Sequence, residues 1–144
     1  MSGRLWIASD HAGVRLKSFL KERTPDCSWE DLGAYDEEPV DYPDYAKSLC
    51  YQVLAHPETL GVLICGSGIG MSIAANRIPG IRACVVENPV AARLSREHNQ
   101  ANVLCLGARF LAPYYALEIF QTWRKTPFGK DKKHLHRIEK LENL

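Results

Sequence analysis

A cysteine closes an apolar run and three alternating glycines follow it: Val62-Leu63-Ile64-Cys65, then Gly66-Ser67-Gly68-Ile69-Gly70. The run reads as a buried strand, and the small-residue stretch from Met71 to Asn76 as a helix. A glycine-rich turn between them leaves backbone N–H groups pointing outward, at the end where the helix dipole favours negative charge. Such a cradle suits a phosphate or an oxyanion forming in a reaction, and Cys65 sets a thiol on its rim. The spacing is neither the dinucleotide G-x-G-x-x-G nor Walker A, so neither nucleotide fingerprint is met. Taken alone, the loop also fits a tight turn made for close packing, and Cys65 an inert core residue. Chemistry here needs partners from elsewhere in the chain.

The candidates are few. Asp10 and His11 follow the short apolar run Leu5 to Ser9, at what would be a strand's carboxyl end, although Asp10 serves equally as a helix cap. Arg109 stands just past a second such end, after Asn102 to Gly107. His98 shares a helical face with Val90, Ala91 and Leu94, which projects it from the apolar side, with Asn99 beside it. Lys133 and Arg137 lie four apart on a charged terminal helix flanked by His134 and His136.

The elements that must position these groups alternate. Apolar strands at Leu5–Ser9, Trp29–Gly33, Val62–Cys65, Ile81–Val86 and Asn102–Gly107 are separated by amphipathic helices. The helix from Pro43 buries Ala46, Leu49, Cys50 and Val53; the one after Pro113 buries Ala116, Ile119, Phe120 and Trp123; the last carries Leu135, Ile138 and Leu141. In the first helix Arg15, Lys17, Lys21 and Glu22 are assigned to the solvent side. The pattern predicts one doubly wound, Rossmann-like α/β domain over residues 1–144, with five parallel strands. Right-handed crossovers then carry Asp10, His11, the glycine loop and Arg109 to one edge. A net charge of +1 gives no basic field for nucleic acid or membrane surface. Five scattered cysteines without a C-x-x-C pair match neither zinc nor redox spacing and suit a reducing compartment. No apolar signal region or membrane-length run occurs, so a cytoplasmic location is expected.

Several blocks together resemble one family. Ser9-Asp10-His11-Ala12-Gly13, Asp41-Tyr42-Pro43, the block from Cys65 to Asn76, Gly80-Ile81-Arg82-Ala83, Leu94-Ser95-Arg96-Glu97-His98-Asn99 and Asn102 to Gly107 are similar, in that order, to the ribose-5-phosphate isomerase B family, which includes the galactose-6-phosphate isomerase subunits. The resemblance implies interconversion of ribose 5-phosphate and ribulose 5-phosphate in the non-oxidative pentose phosphate branch, with no metal or organic cofactor. It also implies a homodimer or dimer of dimers with sites shared between subunits, toward which the C-terminal helix reaches. Cys65 matches the catalytic base, Ser67 a hydroxyl that assists it, and His98 the residue that opens the furanose ring. Gly66, Ser67, Gly68, Ile69 and Gly70 match the loop that stabilises the enediolate. Asp10, His11 and Asn99 match sugar-binding positions, and Arg109, Lys133 and Arg137 match substrate and phosphate contacts. One family branch has a glutamate base where this chain has Met71, which favours Cys65 here. Lys133 falls where arginine is common; lysine keeps the charge but loses the bidentate fork.

The residue chemistry is consistent with this. Aldose–ketose isomerisation needs a base to move a proton between C2 and C1, and donors for the oxygen that gains charge meanwhile. Two other readings stand beside it: the same reaction on a hexose 6-phosphate, allose or galactose, and a non-catalytic phosphosugar-binding module on this scaffold.

Overall fold

The computed structural model describes residues 3–144. Five parallel strands form one sheet: β1 (Arg4–Ser9), β2 (Ser28–Asp31), β3 (Leu60–Cys65), β4 (Ala83–Val85) and β5 (Val103–Gly107), in the order β2-β1-β3-β5-β4. Each interior strand is apolar on both faces because helices cover both. Helices α1 (Val14–Glu22), α4 (Pro89–Asn99) and α5 (Pro113–Lys125) pack on one side, where Leu16, Leu20, Phe120 and Trp123 meet Ile7, Ile64 and Leu106. On the other, α2 (Tyr42–Ala55) and α3 (Ile69–Asn76) bring Leu49, Cys50 and Met71 against Ala8, Leu63 and Cys105. A last helix, α6 (Lys132–Glu142), lies against α4. No helix of the described residues is long and apolar enough to cross a membrane.

The expected faces of α2 and α5 are the buried ones, residue for residue. Elsewhere the structure differs from the sequence expectation. β4 is only three residues long, and α3 begins at Ile69. On α6 only Ile138 is buried, leaving Leu135 and Leu141 exposed. Lys17, assigned to solvent, is buried beside Asp31, its Nζ 2.8 Å from Oδ1. Burial pushes the Lys17 amine down from 10.5, with the Asp31 hydrogen bond and charge opposing. Burial would raise the Asp31 carboxyl, but hydrogen bonds from Lys17, the Gly33 N–H and Lys21 outweigh it and hold it below 3.8. Lys17 also donates to the Ala34 carbonyl, so the pair braces the segment after β2 against the end of β1.

The α4 face is the largest departure. Its buried residues are Ala92, Ser95 and Arg96, while Val90 is 59% exposed. Arg96 is caged between the rings of Phe128 (4.3 Å) and Trp123 (5.0 Å). It donates from Nε to Thr126 O (3.0 Å) and from Nη1 to Ala101 O (2.8 Å). Those carbonyls stand just beyond α5 and α4, so two negative helix ends converge on the guanidinium. No carboxylate pairs with it among the described residues, and burial lowers its pKa to about 10. A Cβ on Gly129 would fall 2.1 Å from Glu97 O, so the segment entering α6 presses directly on α4.

Candidate active site

The carboxyl ends of β1, β3 and β5 stand side by side. The chain leaves β1 into α1 on one face and leaves β3 into α3 on the other, so a crevice opens where the connections part. It measures about 570 Å³. Asp10, Cys65, Ser67 and Arg109 form its polar wall.

Cys65 is only 5% exposed, yet it lies on this wall and not behind it. Its Sγ accepts the Gly68 N–H at 3.2 Å. Gly68 sits at φ 78°, a left-handed conformation that glycine adopts without strain and that aims its N–H back at the sulfur. That donor and the amino end of α3 both favour negative charge there. Of the other buried thiols, burial pushes Cys50 up to about 12 and Cys105 well above 9.0. Ser67 Oγ accepts the Ile69 N–H at 3.1 Å. Two loop N–H groups are thus engaged by the loop's own side chains, and the cradle is narrower than an open glycine turn. Among the described residues the Ser67 N–H has no partner, and Gly70, in the first turn of α3, has no preceding helical carbonyl to bond.

Asp10 does both things its position allows. It is buried, accepts the Ala12 N–H at 3.0 Å as a cap, and still borders the crevice. His11 follows it, half-buried, outside the crevice wall; its Nδ1 accepts the Val40 N–H at 3.2 Å. A neutral His11 ring therefore carries its proton on Nε2. Arg109 lays its guanidinium over Gly66, while its N–H bonds Gly66 O at 2.9 Å. No ion pair engages Arg109 among the described residues.

His98, Asn99, Lys133 and Arg137 do not enter this crevice. His98 is half-buried on α4, its ring stacked on His134 of α6 with centroids 4.1 Å apart and planes at 19°. Asn99 borders a separate hollow with Leu141 and Glu142. Lys133 and Arg137 stand exposed on α6. The candidates thus fall into two groups: Asp10, Cys65, Arg109 and the loop donors in the crevice, with His11 just outside its wall, and His98, Asn99, Lys133 and Arg137 on the α4–α6 pair. The expectation that His98 shares α4's apolar face fails for the same reason, since Arg96 occupies the buried face.

Beside Ile69 of the loop, the crevice has members to which the sequence assigns no role: Tyr42, Ile73 and Phe110. Tyr42, at the start of α2, leans over the loop so closely that a Cβ on Gly70 would lie 2.6 Å from its Cζ. Ile69, Ile73 and Phe110 make an exposed apolar rim, at 50%, 60% and 64% exposure. The signal for Ile73 was present, because α3 has no polar outer face for a helix that meets only water. Among the described residues no group of three His, Cys, Asp or Glu side chains is placed to hold a metal ion.

A family model described as Ribose/Galactose Isomerase matches residues 5–141. A probable ribose-5-phosphate isomerase B of Mycoplasma pneumoniae is 39% identical over 144 residues, covering 98% of this chain and 94% of that one. The crystal structure of a ribose 5-phosphate isomerase from Thermotoga maritima superposes with a TM-score of 0.96 at 43% identity, over 100% of both chains. Ribose-5-phosphate isomerase B from Mycoplasma genitalium, solved with bound ribulose-5-phosphate, gives 0.92 at 37% identity over 99% of this chain and 96% of that one.

Proposed function

The chain belongs to the ribose/galactose isomerase family, and from that footing we propose how its two groups of residues divide one reaction. The reaction is the interconversion of D-ribose 5-phosphate and D-ribulose 5-phosphate. The observation that carries the residue assignment is Cys65 Sγ, held on the crevice wall by the Gly68 N–H beside a free Ser67 N–H.

Ribose 5-phosphate enters as a closed furanose. His98 takes the proton of the anomeric hydroxyl and returns one to the ring oxygen, freeing the C1 aldehyde. The Cys65 thiolate then removes the C2 proton. Electrons from that C–H bond form the C1–C2 double bond, and the carbonyl oxygen becomes an enediolate oxygen. The Ser67 and Gly70 N–H groups donate to it, each such donor contributing roughly 3–4 kcal/mol to the transition state. Cys65 returns the proton to C1 as the C2 hydroxyl passes its own to the C1 oxygen, and the ketose results. Ser67 Oγ steadies the loop beside the sulfur, while Asp10, His11 and Asn99 hold sugar hydroxyls. Arg109, Lys133 and Arg137 bind the phosphate as charge-assisted donors. No metal or organic cofactor takes part.

His98, Asn99, Lys133 and Arg137 reach the crevice of a second copy of the chain, since their own lies out of reach. The apolar rim of Ile69, Ile73 and Phe110 supports this pairing: exposed apolar surface bordered by polar groups suits an interface between copies. The pentose reading is supported over a hexose phosphate by the relative that carries ribulose 5-phosphate. The expected workplace is the cytoplasm.

The test uses purified chain with ribose 5-phosphate and no added metal. Cys65→Ala should lose isomerisation while still binding the sugar phosphate; full activity in that variant ends the base assignment. Mixing Cys65→Ala with His98→Asn should restore about a quarter of the sites if each is built from two chains. Two inactive variants that stay inactive together, while exchanging subunits, would overturn the shared site.

A further inference from the structure

His98 has a neighbour that none of the roles above uses. His134 lies face to face with it, centroids 4.1 Å apart and planes 19° apart. Rings stacked this way cannot hydrogen-bond each other, because the ring N–H bonds lie in the planes. Contact between flat faces is what holds them, and it fixes the plane of each ring. Partial burial against α4, then the His98 ring, Lys133 and Arg137, hold His134 below 6.5 with Asp131 opposing, so it is neutral at neutral pH. The stack is therefore that of a neutral imidazole on its partner.

The placement of His134 is not left to the helix alone. Asp131 caps α6 by accepting the Lys133 N–H at 3.0 Å. The Arg96 cage and the tight approach of Gly129 to Glu97 then set the start of α6 on α4, next to His98. A side chain on an isolated helix end samples several rotamers; His98 has one of its faces covered instead.

Resting on the reading of His98 as the ring-opening residue, we propose that His134 is a positioning residue: its stacked ring fixes the plane of His98, so that the His98 nitrogens meet the anomeric hydroxyl and ring oxygen of the sugar in line. It acts through His98 and not on the sugar.

Two substitutions separate shape from nitrogen chemistry. His134→Phe keeps a flat ring over His98, and His134→Ala removes it. Two readouts separate the steps. Turnover of ribose 5-phosphate requires ring opening. Deuterium uptake from D2O into C1 of ribulose 5-phosphate does not, because with O5 esterified this ketose cannot close a furanose ring. His134→Ala should lower turnover about tenfold, in the range for a misplaced catalytic group, while exchange stays within about twofold. His134→Phe should stay near the parent in both. Equal losses in turnover and exchange would overturn the proposal, as would a phenylalanine variant as poor as the alanine one. Thermal unfolding of each variant checks that the fold holds. His98→Asn, run alongside, separates the two levels. If it fails to lose turnover selectively, the reading of His98 is wrong; if it does while His134→Ala does not, only the positioning role falls.

Discussion

Arg96→Met tests whether the buried cation on α4 holds the C-terminal helix in place. Methionine keeps the stem that fills the space beneath Phe128 and Trp123, so little cavity is created. What goes is the pair of donors to Thr126 O and Ala101 O. Hydrogen bonds from a charged group are worth about 1.5–3 kcal/mol each. Relief from burying an unpaired charge returns part of that sum, so a net loss of about 3 kcal/mol is expected. For a chain of this size the melting temperature should fall by about 10 °C. Urea unfolding at neutral pH reads the loss directly, and Arg96→Lys should fall between the two because an ammonium lacks the fork that spans both carbonyls. The variant should also raise KM for ribose 5-phosphate and for ribulose 5-phosphate alike, since α6 carries Lys133 and Arg137, proposed to take the phosphate both sugars share. A stability loss under about 0.5 kcal/mol, the range of an ordinary surface change, would refute the reasoning that this guanidinium ties two helix ends together.

Asp31 is held below 3.8 in the folded chain, so its contribution is complete above that value and is lost as pH falls from there through the folded pKa. Asp31→Asn should therefore be less stable than the parent at pH 6 in urea titrations yet lose less on going from pH 5 to pH 3; an unchanged acid slope counts against the Lys17–Asp31 pair. Gly70→Ala gains up to about 1 kcal/mol of helix propensity but drives a Cβ into the Tyr42 ring, which is partly exposed and can swing away. Stability should stay near the parent while KM rises several-fold, and an unchanged KM would place Tyr42 outside the substrate's space. Gly129→Ala meets backbone and not a movable side chain at Glu97, so a loss of at least about 2 kcal/mol is expected by thermal unfolding.

What could be read from the sequence depended on how local the deciding contacts were. The faces of α2 and α5 follow from spacing alone, since both helices simply cover the sheet. The convergence of Asp10, the Cys65 loop and Arg109 follows from three strand ends in a parallel sheet. The α4 face did not follow, because arginine reads as a solvent residue until Trp123 and Phe128, far along the chain, close around it. Lys17 is the same case, with Asp31 as the distant partner. Tyr42 had no role legible in the sequence because its ring meets Gly70 across two helices. The His98–His134 stack depends on how α6 docks, which no periodicity in either helix records.

The two buried cations and the crevice divide the protein's polar contacts in a consistent way. Lys17 braces the segment that brings Val40 to His11 and leads into Tyr42. Arg96 braces the segment that leads into α6 and sets His134 on His98. Each is hydrogen-bonded one step behind a functional side chain, and neither lies on the crevice wall. In the crevice the order is reversed: Arg109 has no carboxylate and the Ser67 N–H no acceptor among the described residues. A site for an anionic sugar must keep such groups unspent, because a cation already paired would have to break that pair to take a phosphate. Leaving them unpaired costs stability locally, and the rigidity must come from neighbours. Saturated ion pairs and cages in the second layer, with open donors in the first, is the arrangement that meets both demands. It also explains why the two buried cations of this chain sit beside its candidate residues and not among them.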